Sequence, residues 1–177
     1  MRARDEQAFV EFAVGAAGQM HRTAYLLTGD WHRAHDAVQN ALVKLYVAWP
    51  RLTRTGGLPT YARRAVVTCA IDEARRPWRR EHVDDSAGAS EVDRHDHMGQ
   101  VDDRMVVLAA LAELPPRQRA TVILRYYEEL TVEQAAEVLG CTTGTVKSQT
   151  ARGLDTMRER LLAAGIREPI TVGEDRT

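Results

Sequence analysis

Apolar residues in this chain recur at intervals of three and four, and proline or glycine interrupts each run. Phe9, Ala13, Ala16, Met20, Ala24 and Leu27 form the first stripe, which stops before Thr28-Gly29-Asp30. That spacing places them on one face of a helix. Ala34, Val38, Ala41, Leu45 and Trp49 form a second stripe, and Pro50 is expected to stop it because proline has no N–H to donate. After the turn-rich stretch RLTRTGGLP (51–59), a third helix is predicted from about Thr60 to Arg76, ahead of Pro77. Val107, Leu111 and Leu114 predict a short helix ended by Pro115-Pro116. Pro116 then suits the first position of a further helix, carrying Ile123 and Tyr127 inward. No segment alternates as a strand does, so the expected fold class is all-α.

Charge divides these helices into blocks. The net charge of −1 hides 13 basic against 7 acidic residues over 1–80, and one Arg against eight acids over 81–103. Residues 104–165 hold 8 basic and 7 acidic side chains. The stretch 81–103, EHVDDSAGASEVDRHDHMGQVDD, is polar, has no aromatic residue and shows no period. Two small helical domains, 1–80 and 104–165, joined by a flexible acidic linker at 81–103 and followed by a tail at 166–177, are therefore expected. No apolar run approaches the roughly 18 residues of a membrane span. No apolar segment follows the basic start of MRARDEQAF, so a secretory leader is not expected. Cys69 and Cys141 stand alone, which argues against a disulfide framework and suits a reducing cytoplasm.

The segment LTVEQAAEVLGCTTGTVKSQTARGL, 130–154, has the spacing of a helix-turn-helix. Thr131 is placed to cap a helix with Gln134 as its capping-box partner. Ala135 and Ala136 are small where a second helix would cross, Gly140 suits a left-handed turn, and Thr142 can cap the next helix. Val146 would fill the angle between the two helices. Lys147, Ser148 and Arg152 then point away from Val146 and Leu154, as side chains of a groove-entering helix must. Lys and Arg can bind guanine or phosphate, and Ser can meet a base edge. An ordinary helical hairpin would share much of this pattern.

From about residue 6 to about 163 the chain resembles the extracytoplasmic-function (ECF) sigma factors of bacterial RNA polymerase, in particular the SigE-like group of actinobacteria. The resemblance is carried by RTAYLLTGDWHRAHDAVQNALVKLY, by YARRAVVTCAIDEARR, and by LPPRQRATVILRYYEELTVEQAAEVLGCTTGTVKSQTARGLDTMRERL. In the third, Leu-Pro-x-x-x-Arg precedes the helix-turn-helix at the family's spacing. The resemblance implies that the first domain is sigma region 2 and the second sigma region 4. It also implies two partners, core RNA polymerase (through its β′ coiled coil and β flap) and promoter DNA, with an anti-sigma factor as a further candidate. No cofactor and no catalysis are implied.

Roles follow residue by residue from the resemblance. Asp36, Gln39 and Asn40, continued by Val43 and Tyr46, correspond to the helix face that docks on the β′ coiled coil. Asn40 stands where the family has an acid, which removes one charge. Arg63, Arg64, Arg75 and Arg76 would hold phosphates of the unwound −10 strand, with Arg79 and Arg80 beside them. Tyr61 and Trp78 would offer ring faces to its bases. Thr68 stands where the family commonly has Asn in a base pocket, and a hydroxyl cannot make the paired donor–acceptor contact of a carboxamide. The loop 51–59 corresponds to the −10 specificity loop. At the −35 element, Lys147, Ser148 and Arg152 match the family and Thr143 belongs to the same helix. Gln149 replaces an Arg, while Arg125 and Arg158 are further backbone contacts. The acidic linker is expected to screen the basic 63–80 surface in the free protein.

Two other classes stay open on the residues alone. A stand-alone helix-turn-helix regulator would bind a palindromic duplex unaided. A metal-dependent enzyme would be built on His32 and His35, which share a helix face with Asp36; neither that group nor His95-Asp96-His97 in the linker supplies the third and fourth ligands a zinc site needs. The chain stops soon after its last helix, so no further C-terminal domain is expected.

Overall fold

The computed structural model describes residues 3–75 and 98–166, and among these every regular element is helical. Three long helices, α1 (Ala3–Thr28), α2 (Trp31–Thr55) and α3 (Leu58–Arg75), pack against one another. Asp30 starts α2 by accepting the N–H of Arg33 at 2.8 Å. Its buried stripe is Ala34, Ala37, Val38, Ala41, Leu45, Trp49 and Leu52. Ala24 of α1 and Ala34, Ala37 and Ala41 of α2 are wholly buried, and such small side chains let helix backbones approach closely. At the other end Phe9 meets Trp49 edge-on at 5.2 Å and Phe12 lies 5.5 Å from it.

Pro50 does not stop α2, contrary to expectation. The N–H it lacks would have bonded the carbonyl of Tyr46, and both residues are exposed, so water can take that carbonyl. Beyond it, Leu52 extends the buried stripe, while Thr53 and Arg54 side chains bond the carbonyls of Trp49 and Pro50 at 3.0 and 2.9 Å. The helix ends only where Gly56 takes φ 75°. The loop expected over 51–59 therefore contracts to Gly56-Gly57, and α3 begins at Leu58, two residues earlier than expected.

The second unit holds α4 (Met98–Glu113), α5 (Pro116–Val122), α6 (Val132–Leu139) and α7 (Thr143–Ala163). Pro116 opens α5 as expected, while α4 starts inside the stretch read as linker. The rest of that linker and the tail lie outside the described residues, as does the proposed screening by the linker. At its C-terminal end α5 widens into one π turn, Ile123–Tyr127, closed by Glu128 N–H to the Ile123 carbonyl at 3.0 Å. The wider turn shifts the side chains that follow it. Leu124 is buried beside Ile123, and Tyr127, expected inward, is 45% exposed.

The two units pack on each other through α1 and α3 on one side and α4, α5 and α6 on the other. Arg119, the Arg of Leu-Pro-x-x-x-Arg, is buried at this contact. Its guanidinium donates to the Leu27 carbonyl of α1 at 2.9 Å and to the carbonyls of Ala112 and Leu114 at the end of α4. It thereby satisfies carbonyls that helix ends leave without partners. Burial pushes its pKa below the ordinary value for arginine.

Candidate nucleic-acid interface

The helix-turn-helix is built by its caps. The Thr131 hydroxyl accepts the Gln134 N–H at 3.2 Å while the Gln134 side chain accepts the Thr131 N–H at 2.9 Å. Gly140 takes the left-handed conformation at φ 63°, ψ 42°. Thr142 caps α7 by accepting the Thr145 N–H at 3.1 Å. Ala135 and Val146 are wholly buried where α6 and α7 cross. Further along α7, a Cβ on Gly153 would stand 2.8 Å from Val122 Cγ2, so only glycine lets α7 cross α5 this closely. That requirement was not read from the sequence.

These constraints leave Thr143, Lys147, Ser148 and Arg152 exposed on α7, with Gln149 half-buried. The Ser148 hydroxyl donates to the Thr145 carbonyl at 3.1 Å, so its remaining capacity toward a base edge is as an acceptor. Arg125 is half-buried and donates to the Leu130 carbonyl, which turns it toward the loop before α6. Glu133, in the first turn of α6, is held below the ordinary glutamate pKa, first by a backbone N–H and then by the Thr131 hydroxyl. The positive charges of Lys147 and Arg125 act in the same direction. Arg158 pairs with Asp155 at 3.3 Å on the surface.

On α3, Arg64, Thr68 and Arg75 are exposed and Tyr61 is half-buried against the core. Arg63 turns away to pair with Glu128 of the second unit, Nε to Oε2 at 3.4 Å. Arg76 and Trp78, with Arg79 and Arg80, lie outside the described residues. Thr68 and Arg75 line a cleft of about 160 Å³ together with Thr145 and Gln149. Residues assigned to separate strand and duplex readers thus face a common space.

The α2 face is polar with an apolar edge. Asp36, Gln39 and Asn40 are exposed, and Val43 is 62% and Tyr46 43% exposed despite their apolar area. Tyr46 is held from behind by Phe9 at 5.2 Å, edge to face. Val47, 76% exposed, extends this edge and was missed, although its place four residues after Val43 was the available signal. Trp31 stacks on Tyr25 at 4.2 Å and is half-exposed. His35 faces His21, Nδ1 to Nε2 at 3.4 Å, and no group of three metal-ligating side chains occurs among the described residues. No described helix is long and apolar enough to cross a membrane.

Comparison with known proteins agrees with this division. The family model for Sigma-70 region 2 matches residues 16–80, and that for Sigma-70, region 4 matches residues 104–157. The chain is 31% identical over 155 residues to the RNA polymerase sigma-E factor of Streptomyces coelicolor, covering 88% of this chain and 86% of that one. It is 33% identical over 156 residues to the ECF RNA polymerase sigma factor SigL of Mycobacterium tuberculosis, 85% of this chain and 86% of that one. Among solved structures it is similar to the sigma factor RpoE of Bartonella quintana in complex with the anti-sigma factor NepR. That likeness has a TM-score of 0.61 at 19% identity and covers 88% of this chain and 98% of that one, which speaks to the fold alone. With a region 2 bundle, a region 4 helix-turn-helix and relatives above 30% identity along most of the length, the chain belongs to the ECF RNA polymerase sigma factors of the sigma-70 family.

Proposed function

We propose that this sigma factor binds core RNA polymerase in the cytoplasm and directs it to promoters by two separate readings of DNA. Its α2 face, Asp36, Gln39, Asn40, Val43 and Tyr46, docks on the β′ coiled coil, while the second unit engages the β flap. Lys147, Ser148, Gln149, Arg152 and Thr143 read the −35 duplex from the major groove, with Arg125 and Arg158 toward the backbone. The α3 surface, Tyr61, Arg63, Arg64, Thr68 and Arg75, continued by Arg76 and Trp78, takes the −10 strand once the duplex opens. The observation that carries this reading is the pairing, on one chain, of a capped helix-turn-helix with a second basic surface and an exposed apolar-edged helix face. A stand-alone regulator has no need of the last two. An anti-sigma factor is a further candidate partner, since the RpoE relative is solved with one.

In vitro transcription with core polymerase and promoter fragments from the same genome tests the proposal. Core-dependent initiation at discrete start sites is expected. Gln39→Ala with Tyr46→Ala should lower affinity for core polymerase while helicity is unchanged. Tight binding to a palindromic duplex without polymerase, and no stimulated transcription, would instead establish a stand-alone regulator.

A further inference from the structure

His21 of α1 and His35 of α2 meet across the seam between these helices, and neither is among the residues assigned to polymerase or DNA. Their ring centres are 5.6 Å apart and the facing nitrogens, His21 Nε2 and His35 Nδ1, are 3.4 Å apart. Both nitrogens therefore lie close to the line of centres, and the rings meet edge to edge. His21 Nδ1 stands 2.9 Å from the Ala17 carbonyl, which can only accept, so Nδ1 carries the proton and Nε2 a lone pair. An N–H donated across the pair would be stretched beyond the usual range of about 2.7–3.2 Å. Among the described residues no carboxylate or thiol joins the two rings to make a group of three.

That separation fits a shared ion better than a shared proton. Two nitrogens bound to tetrahedral zinc, each about 2.0–2.1 Å from it, stand about 3.3–3.4 Å apart. Neighbouring ligands of a square-planar ion come closer, at about 2.9 Å, which disfavours Cu²⁺ and Ni²⁺. Bringing both lone pairs onto one point takes a small turn about χ2, a torsion with broad minima in histidine. The bond from His21 Nδ1 to a backbone carbonyl is the outer support that zinc-bound histidines commonly have. It fixes the tautomer and the ring direction before an ion arrives. The frame is held as well. One turn nearer the connection between the helices, Tyr25 and Trp31 stack at 4.2 Å and 15°. His21 and Tyr25 are four residues apart, as are Trp31 and His35, so the four rings form one strip along the seam.

The geometry points to a zinc site made of His21 Nε2 and His35 Nδ1, with water at the two remaining positions. His35 is exposed, so the ion is reached from solvent. Zinc there joins α1 to α2 beside Asp36, where the face assigned to core polymerase begins. The site uses no residue of α3 or α7 and stands independently of how DNA is read.

The test titrates Co²⁺, a coloured stand-in for zinc, into the metal-free full chain. One equivalent is expected to bind with the intense visible absorption of tetrahedral Co²⁺, to be displaced by Zn²⁺, and to quench the fluorescence of Trp31. Trp31→Phe should remove most of that quenching and leave the absorption. His35→Asn, at an exposed position, should weaken binding by more than about tenfold, since even the loss of an outer partner costs about 10- to 100-fold. His21→Asn should do the same, with circular dichroism showing that the helices are kept. Zn²⁺ at about 100 times its dissociation constant should raise the Tm of the wild type by about 5 °C and leave that of His35→Asn unmoved. Replacing the other four histidines, His32, His82, His95 and His97, with Asn should leave Co²⁺ binding unchanged. No binding, octahedral absorption only, binding that survives His35→Asn, or binding lost with the other four histidines would each overturn the site.

Discussion

The α1–α3 unit and the helix-turn-helix are held in shape by different means. In the first, long helices of 26, 25 and 18 residues carry extended apolar stripes, and α2 runs through Pro50 because burial of Leu52 continues the stripe past the missing hydrogen bond. In the second, α6 has only eight residues, too few to be stable by themselves, and its ends are fixed by the Thr131–Gln134 box and by Gly140. A long helix can lose one bond and keep its course. A short one takes its direction from its ends, and α7 starts from the turn that Gly140 sets.

That contrast can be broken by substitution. The largest effect is expected for Leu45→Ala, which empties a wholly buried position and should cost about 2–5 kcal/mol. Because both units contribute to one hydrophobic cluster, chemical denaturation should still show a single transition, and two separated transitions would show that the units are independent. Arg119→Met comes next, at about 3 kcal/mol, because the loss of hydrogen bonds to three carbonyls is partly offset by no longer taking a guanidinium out of water. A loss well below 1 kcal/mol would mean that water replaces the guanidinium at the junction.

Smaller effects separate the reader from its frame. Arg152→Ala should cost about 1–3 kcal/mol of holoenzyme affinity for a −35 promoter if it contacts a base bidentately, with protein stability unchanged. On a template with the −10 region already melted and no −35 element, the variant should match wild type. Thr142→Ala should cost about 1 kcal/mol of stability through loss of the α7 cap, and faster amide exchange should be confined to the start of that helix. Exchange raised equally in α1–α3 would contradict the division drawn above.

The smallest effect concerns pH. The Glu133 carboxyl is held below its ordinary value, so its contribution to stability is present above the unfolded-state pKa and is lost as pH falls through the lowered folded one. Glu133→Gln should therefore narrow the stability difference between neutral and acidic solution. An identical acid profile in the variant would remove Glu133 from the cap.

The outcomes expected from sequence divide along the same line. The existence of the helices was legible, though not the end of α2 or the start of α4, and so were the capping box, the left-handed Gly140, the Thr142 cap and the burial of Val146, because each rests on residues within about one turn of each other or on a repeating stripe. Exposure of Lys147, Ser148 and Arg152 followed from the burial of Val146 by helical geometry. On α3 the basic residues were visible but their direction was not. Arg63 and Arg64 are adjacent in sequence, yet one enters the contact with Glu128 and the other lies over Gly140.

Periodicity and capping are local, and they sufficed for the helical class, the two regions with their family, and both ends of α6. Tertiary structure decided what happens to buried charge. Arg119 finds the Leu27 carbonyl 92 residues away and Glu128 finds Thr23 at a separation of 105, and no local pattern announces either partner. It also decided that α2 passes Pro50 and that Tyr127 turns outward, because in both places packing of the next residues outweighed the local signal. Local chemistry sets where a helix starts and stops. Which charges are taken out of water depends on what the fold brings beside them.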